Sequence, residues 1–316
     1  MPDSPRELYR HIRRRVAQLT PETLDHAEYV DLRARLDAVP PTERFRSWRQ
    51  ASVLLDVRFR ERPWHTLRML RRLQDLMTRN GRAEQFEVFH AQVRELLGDL
   101  TITPHGFNPR LDTLDPGALW SRVADLGAEL ERRGFTWFVT SGSLLGLVRE
   151  GNVVAHDDDV DLCVLIEADD DDSAAQAWLA AREILVDLIR PQELHRVAKV
   201  DSPDGPTIDL FPAWVAGGRL FAWPWSYGDL PGEDAVPVRE QLVAGARLLM
   251  PREPERLLGL NYGEGWRVPD PLFQFDWPGA RERFSRFVEV LESTTFELPT
   301  DPTDDLPDDL PDDDRD

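Results

Sequence analysis

Asp159 and Asp161 flank Val160 in the string Asp157-Asp158-Asp159-Val160-Asp161-Leu162-Cys163-Val164. Side chains alternate between faces in an extended chain, so this spacing turns both carboxylates to one side and Val160, Leu162 and Val164 to the other. Two carboxylates that close repel unless they are protonated, solvated or bridged by a cation, and their hard oxygens suit Mg²⁺ or Mn²⁺. A third acid, Asp209, is the lone charge in Thr207-Ile208-Asp209-Leu210-Phe211, where a buried carboxylate needs a partner. Upstream, Ser141-Gly142-Ser143 ends an apolar run and leads into a helix expected to open at Ser143. Such a turn offers backbone N–H groups at the positive end of a helix dipole, with no side chain at Gly142 to block a phosphate. Alone, the Ser-Gly-Ser turn reads as an N-cap and the acidic run as a solvated loop. Together they form the apparatus by which a divalent metal holds a nucleotide's phosphates and an attacking hydroxyl is activated.

The elements that must position these residues follow from periodicity and breakers. Residues 1–100 read as helices at Glu7–Leu19, Pro21–Leu36, Trp64–Asn80 and Ala83–Leu97, nearly without strand signals. From Thr101 a loop is expected through Pro116, then a helix at Ala118–Arg133 ended by Gly134. Strands are expected at Phe135–Thr140, Val160–Ile166, His195–Val200 and Thr207–Val215, with a helix at Ala174–Ile189 between the second and third. Helices are expected again at Val238–Ala246, Glu253–Leu260 and Gly279–Leu291. This pattern predicts an α/β (α+β) fold, a mixed sheet flanked by helices, preceded by an extra N-terminal helical region.

Composition narrows the function. The 316 residues carry 38 basic and 58 acidic side chains, a net charge of −20, which argues against a nucleic-acid partner. The charge divides unevenly, about +4 for residues 1–100 and about −24 for the rest, which sum to −20. The arginines from Arg58 to Arg79 make the first region basic: a docking face for an anionic acceptor or membrane surface, or a solvated helix face. One cysteine, Cys163, forms no internal disulfide, the N-terminal residues lack a signal-peptide pattern and no run reaches membrane-spanning length, so a cytoplasmic location is expected. Residues 301–316 hold nine Asp and one Arg, broken by prolines, and are expected to be disordered.

Three motifs in order carry a resemblance: Gly142-Ser143-Leu144-Leu145-Gly146 with Arg149 and the aspartates 157–161, then Thr207-Ile208-Asp209-Leu210-Phe211-Pro212, then Tyr262-Gly263-Glu264-Gly265-Trp266 with Pro269. Over residues 118–275 the chain resembles the LicD family of phosphocholine transferases, to which fukutin and fukutin-related protein belong, within the nucleotidyltransferase fold of DNA polymerase beta. The resemblance implies a nucleotidyltransferase-type sheet in residues 106–298, after a helical region 1–105 and before an acidic tail 299–316. It also implies Mg²⁺-dependent transfer of a phosphoalcohol, such as phosphocholine or a polyol phosphate, from a CDP-activated donor to a hydroxyl of a glycan or sugar, as in cell-surface glycan modification.

By position, the resemblance puts Gly142 and Ser143 against the donor phosphates and Asp159 and Asp161 on the metal. Asp209 completes the metal site or acts as base, and Asp157 assists. Arg149 either neutralises phosphate or braces the aspartates. Lys199, the one lysine, is a diphosphate partner or a surface residue. Tyr262 and Trp266 wall a pocket or pack in the core. Where the family has Ile-Pro-Trp, this chain has Val154-Ala155-His156, so the loop entering the site differs; His156 is a proton carrier or a polar loop residue. Two other functions use the same residues: nucleotidyl transfer from an NTP to a small molecule or protein, and a non-catalytic metal-binding scaffold.

Overall fold

Arg46–Phe59 contains Arg46, Arg49, Gln50, Ser52, Asp56 and Arg58, a mixture with no apolar stripe, and nothing in the sequence reading marked it as a helix. It is one, and nearly every side chain from Trp48 to Val57 is buried. The computed structural model describes residues 4–103, 106–191, 196–201, 205–270 and 272–293. Two compact units divide the chain, one within residues 1–109 and one within residues 110–299.

In the first unit, α1 (Pro5–Gln18), α2 (His26–Asp37), α4 (Pro63–Arg79) and α5 (Ala83–Leu97) pack with the central α3 (Arg46–Phe59). A helix surrounded by helices is buried on all sides, which removes the amphipathic signature that makes a surface helix readable. Ser4 caps α1 by accepting the Glu7 N–H at 3.3 Å, and Leu8, Ile12 and Val16 recur on its buried face. The helix expected over Pro21–Leu36 is split: Pro21–Thr23 forms a 3₁₀ turn, and Asp25 caps α2 through the Ala27 N–H at 3.0 Å. The loop expected from Thr101 instead begins with an antiparallel pair, β1 (Leu100–Thr103) with β2 (Gly106–Pro109).

The second unit opens with α6 (Pro116–Arg132), followed by β3 (Trp137–Val139), α7 (Ser141–Arg149), β4 (Asp159–Leu165) and α8 (Asp171–Ile184). Its six-stranded sheet runs β3, β4, β6 (Thr207–Ala216), β7 (Arg219–Ala222), β8 (Ser226–Pro231), with β5 (Ala198–Val200) also paired to β6. Only β4 and β6 are parallel, joined by a crossover containing α8; β3, β5, β7 and β8 pair antiparallel, so the sheet is mixed as expected. The α/β fold class read from the sequence is thus the observed one. His195 and residues 299–316, named above in a strand and a tail, lie outside the described residues.

Val238–Ala246 is not a helix. It holds β9 (Arg239–Val243) and the turn into β10 (Ala246–Met250), with Ala244 at φ +48° and Gly245 at φ +87°. Two successive left-handed residues make the tight hairpin turn whose twist suits paired strands, a signal that the apolar Leu-Val-Ala-Gly-Ala run concealed. The remaining helices are α9 (Pro254–Tyr262), α10 (Trp277–Arg283) and α11 (Ser285–Ser293), so the single helix expected over Gly279–Leu291 is two.

Candidate active site

Asp161 sits in the buried strand β4, and three backbone contacts hold its surroundings to α7. The Gly142 N–H donates to Asp161 Oδ2 at 3.0 Å, the Asp161 N–H donates to Ser143 Oγ at 3.0 Å, and the Thr140 N–H donates to the Asp161 carbonyl at 3.0 Å. Helix α7 begins at Ser141, two residues earlier than the sequence suggests, which puts Gly142 and Ser143 in its first turn. Their polar groups are engaged by Asp161, and Ser143 is buried. Ser141 itself adopts φ +46°, an uncommon conformation for a non-glycine residue.

Asp157 approaches the same turn from the loop before β4. Its backbone is held by Leu111, whose N–H donates to the Asp157 carbonyl at 3.0 Å, a contact for which the sequence offers no signal. A Cβ added at Gly142 would lie 2.2 Å from Asp157 Oδ2 and 3.4 Å from Asp161 Oδ2, so only glycine leaves room for both carboxylates. Gly146 has a different reason to be glycine: a Cβ there would meet the Asn152 carbonyl at 2.5 Å, in the loop leading to the aspartates.

Asp157, Asp159 and Asp161 each offer a carboxylate oxygen within 4.8 Å of the others. Asp209 stands beside Asp161 as its ladder partner across the parallel β4–β6 pair, one strand spacing away, and both are buried. From the other side of β6, Lys199 of β5 is the ladder partner of Asp209, and Lys199 Nζ lies 2.7 Å from Asp209 Oδ2. Lys199 is therefore joined to the acidic cluster through Asp209.

Electrostatics mark the cluster as charged against itself. Burial pushes Asp157 well above the usual carboxylate range, and Asp159 and Asp158 push it further. Burial likewise raises Asp161, with Asp159, Asp157 and Asp209 adding to the shift and the Gly142 N–H opposing it. Tyr262, at the end of α9, is raised first by burial and then by the charges of Asp161, Asp157 and Asp159; Phe273 packs on it with ring centroids 4.7 Å apart. Arg149 does not brace the aspartates. Its guanidinium donates to Glu150 Oε1 at 2.8 Å and to the Trp266 carbonyl at 3.2 Å, holding the turn after α9 against α7. Trp266 is buried with Arg267 stacked on it at 4.3 Å. His156 adjoins Asp157 in the loop.

Three hard oxygen donors on converging side chains, with Asp157 and Asp161 disfavoured by neighbouring negative charge, fit a divalent ion, which reverses that penalty. The cluster can hold such an ion. Residues 134–253, less than half of the chain, match the model of the LicD/FKTN/FKRP nucleotidyltransferase domain. Over those residues the chain is similar to a LicD-type nucleotidyltransferase domain. The LicD domain includes Gly142, Ser143, Arg149, the aspartates, Lys199 and Asp209, whereas Tyr262 and Trp266 lie beyond the matched residues. The match supports a transferase of nucleotide or phosphate groups.

Among solved structures, the antibiotic-resistance factor ANT(2″)-Ia is 18% identical, with 57% of this chain and 92% of that one covered at a TM-score of 0.34. The lincosamide adenylyltransferase LnuA, lincomycin-bound, is 11% identical, covering 55% and 98% at 0.29. An antigenic nucleotidyltransferase-like protein from Paracoccidioides brasiliensis is 14% identical, covering 45% and 62% at 0.28. No curated protein matches the chain. No helix among the described residues is long and apolar enough to cross a membrane.

Proposed function

We propose that the LicD domain transfers a phosphoalcohol from a CDP-activated donor to a hydroxyl of a glycan or sugar, with Mg²⁺ or Mn²⁺ held by Asp157, Asp159 and Asp161 and by Asp209 at the next strand. The convergence of carboxylate oxygens from the first three within 4.8 Å, beneath a glycine that alone leaves them room, carries this reading. When bound, the ion supplies positive charge to a diphosphate. Gly142 and Ser143 act one step back from the donor, fixing the rotamer and backbone of Asp161. Lys199 pairs with Asp209 at 2.7 Å, and Asp209 serves either as a further ligand or as the acceptor of the attacking hydroxyl's proton. Tyr262 and the Arg149-braced turn at Trp266 border the space where the alcohol or base would lie.

The test is product analysis with the full chain. It is incubated with CDP-choline, CDP-ribitol, CDP-glycerol, CTP or ATP and sugar acceptors, with and without Mg²⁺. Metal-dependent CMP release from a CDP-alcohol is the expected result. Pyrophosphate release from an NTP would replace it with nucleotidyl transfer, and metal binding without turnover of any donor would reduce the site to a scaffold.

A further inference from the structure

Helix α4 has two unlike faces. Met69, Leu70, Leu73 and Leu76 are buried, whereas Trp64, Arg68, Asp75 and Arg79 are exposed, with Arg71 and Arg72 half-buried among them. Spacings of three and four place these outer residues in one stripe, four arginines against one aspartate. Asp75 lies 3.8 Å from Arg71, while Arg68 has no hydrogen bond or ion pair among the described residues. The stripe belongs to a wider positive region. From Arg44 to Arg82 there are eleven arginines and three acidic residues, a net charge of +8 in a chain whose total is −20. His65, at the start of α4, responds to that field: burial pushes its imidazole down to about 3, and Arg62, Arg33 and Arg68 all act in the same direction against Asp37.

The chain carries a complement to this face. Residues 301–316, outside the described residues, hold nine aspartates and one arginine, a net charge of −8. Asp-Asp-Leu-Pro occurs twice in succession, at 304–307 and 308–311, and Asp312-Asp313 follows, so paired carboxylates recur every four residues. The described residues before this segment end at Ser293, and the chain from there can extend up to about 80 Å, roughly three times the ~25 Å length of α4. A tethered segment meets its target at an effective concentration on the order of millimolar. An external polyanion must instead approach a molecule that repels it with a charge of −20, so the chain's own acidic segment is the favoured occupant.

We propose that the aspartate-rich segment 301–316 docks on the arginine stripe of α4 and masks it from other polyanions. Composition alone predicts disorder for the segment; the arginines supply the countercharge, and Leu306 and Leu310 supply apolar contact for Trp64, which is 48% exposed. Single exposed ion pairs contribute little, so the docking depends on many carboxylates together and weakens with salt.

Carbodiimide coupling, which joins a carboxylate to an amine in contact with it, tests the proposal in the full chain carrying Arg68→Lys. That change keeps the charge, and the one native lysine, Lys199, is already paired with Asp209, so the introduced amine reports on α4. In a mixture of unlabelled and isotope-labelled chains, mass spectrometry should find position 68 coupled to residues 301–316 of the same chain. The yield should fall at least about fivefold in about 1 M NaCl, where charges are screened beyond about 3 Å. Neutralising the segment through Asp304→Asn, Asp305→Asn, Asp308→Asn and Asp309→Asn together should unmask the stripe, so that this variant leaves a heparin matrix at higher salt than wild type. No coupling to the segment, coupling only to Asp75 or to another chain, a yield unmoved by salt, or unchanged heparin retention would each overturn the proposal. Neither measurement involves the carboxylate cluster, so the outcome is independent of the transferase reading.

Discussion

Asp56 in the helical unit is 0% exposed and Asp161 in the sheet unit 8% exposed, yet their neighbours differ in sign. Asp56 accepts from the Tyr29 hydroxyl at 3.0 Å and lies 3.5 Å from the Arg33 guanidinium, which also donates to Ser52 Oγ at 2.6 Å and holds Asp37. Asp161 receives one backbone N–H, and the strongest charges upon it are three more aspartates. The first arrangement gives a buried acid a cation and a phenol from α2. The second lacks compensation of that kind, which is costly to fold and is what a site awaiting a cation requires. A buried acid surrounded by acids therefore points to a ligand more strongly than burial does by itself.

The largest expected effect separates the two directly. Asp161→Asn should lower turnover more than about 100-fold, since even residues behind metal ligands are worth 10 to 100-fold. Its melting temperature without divalent ions should equal or exceed that of wild type, because one repelling charge has gone, and the Mg²⁺-induced rise should vanish. Differential scanning fluorimetry with and without EDTA checks both, and a metal-free loss of several degrees would put Asp161 in the same class as Asp56.

Asp56→Ala should behave in the opposite way. Removing it strands the Arg33 and Tyr29 donors, costing about 3 kcal/mol of stability in urea unfolding. Mg²⁺ affinity, measured by calorimetry, should be unchanged.

The smallest effect is on pH dependence. Burial pushes Asp56 up to about 6 against the pull of Arg33 and Arg62, above its unfolded value near 3.8. Between pH 4 and 6 the folded chain thus holds this proton more firmly than the unfolded chain, and the stability Asp56 contributes falls as pH rises through that window. Asp56→Asn should remove up to about 1.4 kcal/mol per pH unit of that slope, read as the difference from wild type in urea midpoints at pH 4 to 7.

Legibility differed by element in the same physical terms. Helices α4 and α5 carry one apolar face each and were readable to within a residue or two, whereas α3, apolar and polar all round, was not. Short strands β7 and β8 went unread because residues 219–231 are broken by glycine and proline, which mask their alternation. Within the site, the aspartates announced themselves as charges in apolar strands. The commitment of the Gly142 N–H to Asp161, and the placement of Arg149 on Trp266 instead of on the aspartates, had no local signature.

What the sequence determined alone was which residues share a face: a period of two sets Asp159 with Asp161 and opposes them to Val160, whatever lies beside the strand. What only the tertiary structure decided was who stands next to whom across strands. Asp209 beside Asp161, Lys199 beside Asp209 and the aromatic row of Trp214, Phe221 and Tyr227 all depend on register between separate segments. Register is set by the burial of whole faces and by turn geometry, and a shift of one residue would have turned each of these side chains to the opposite face.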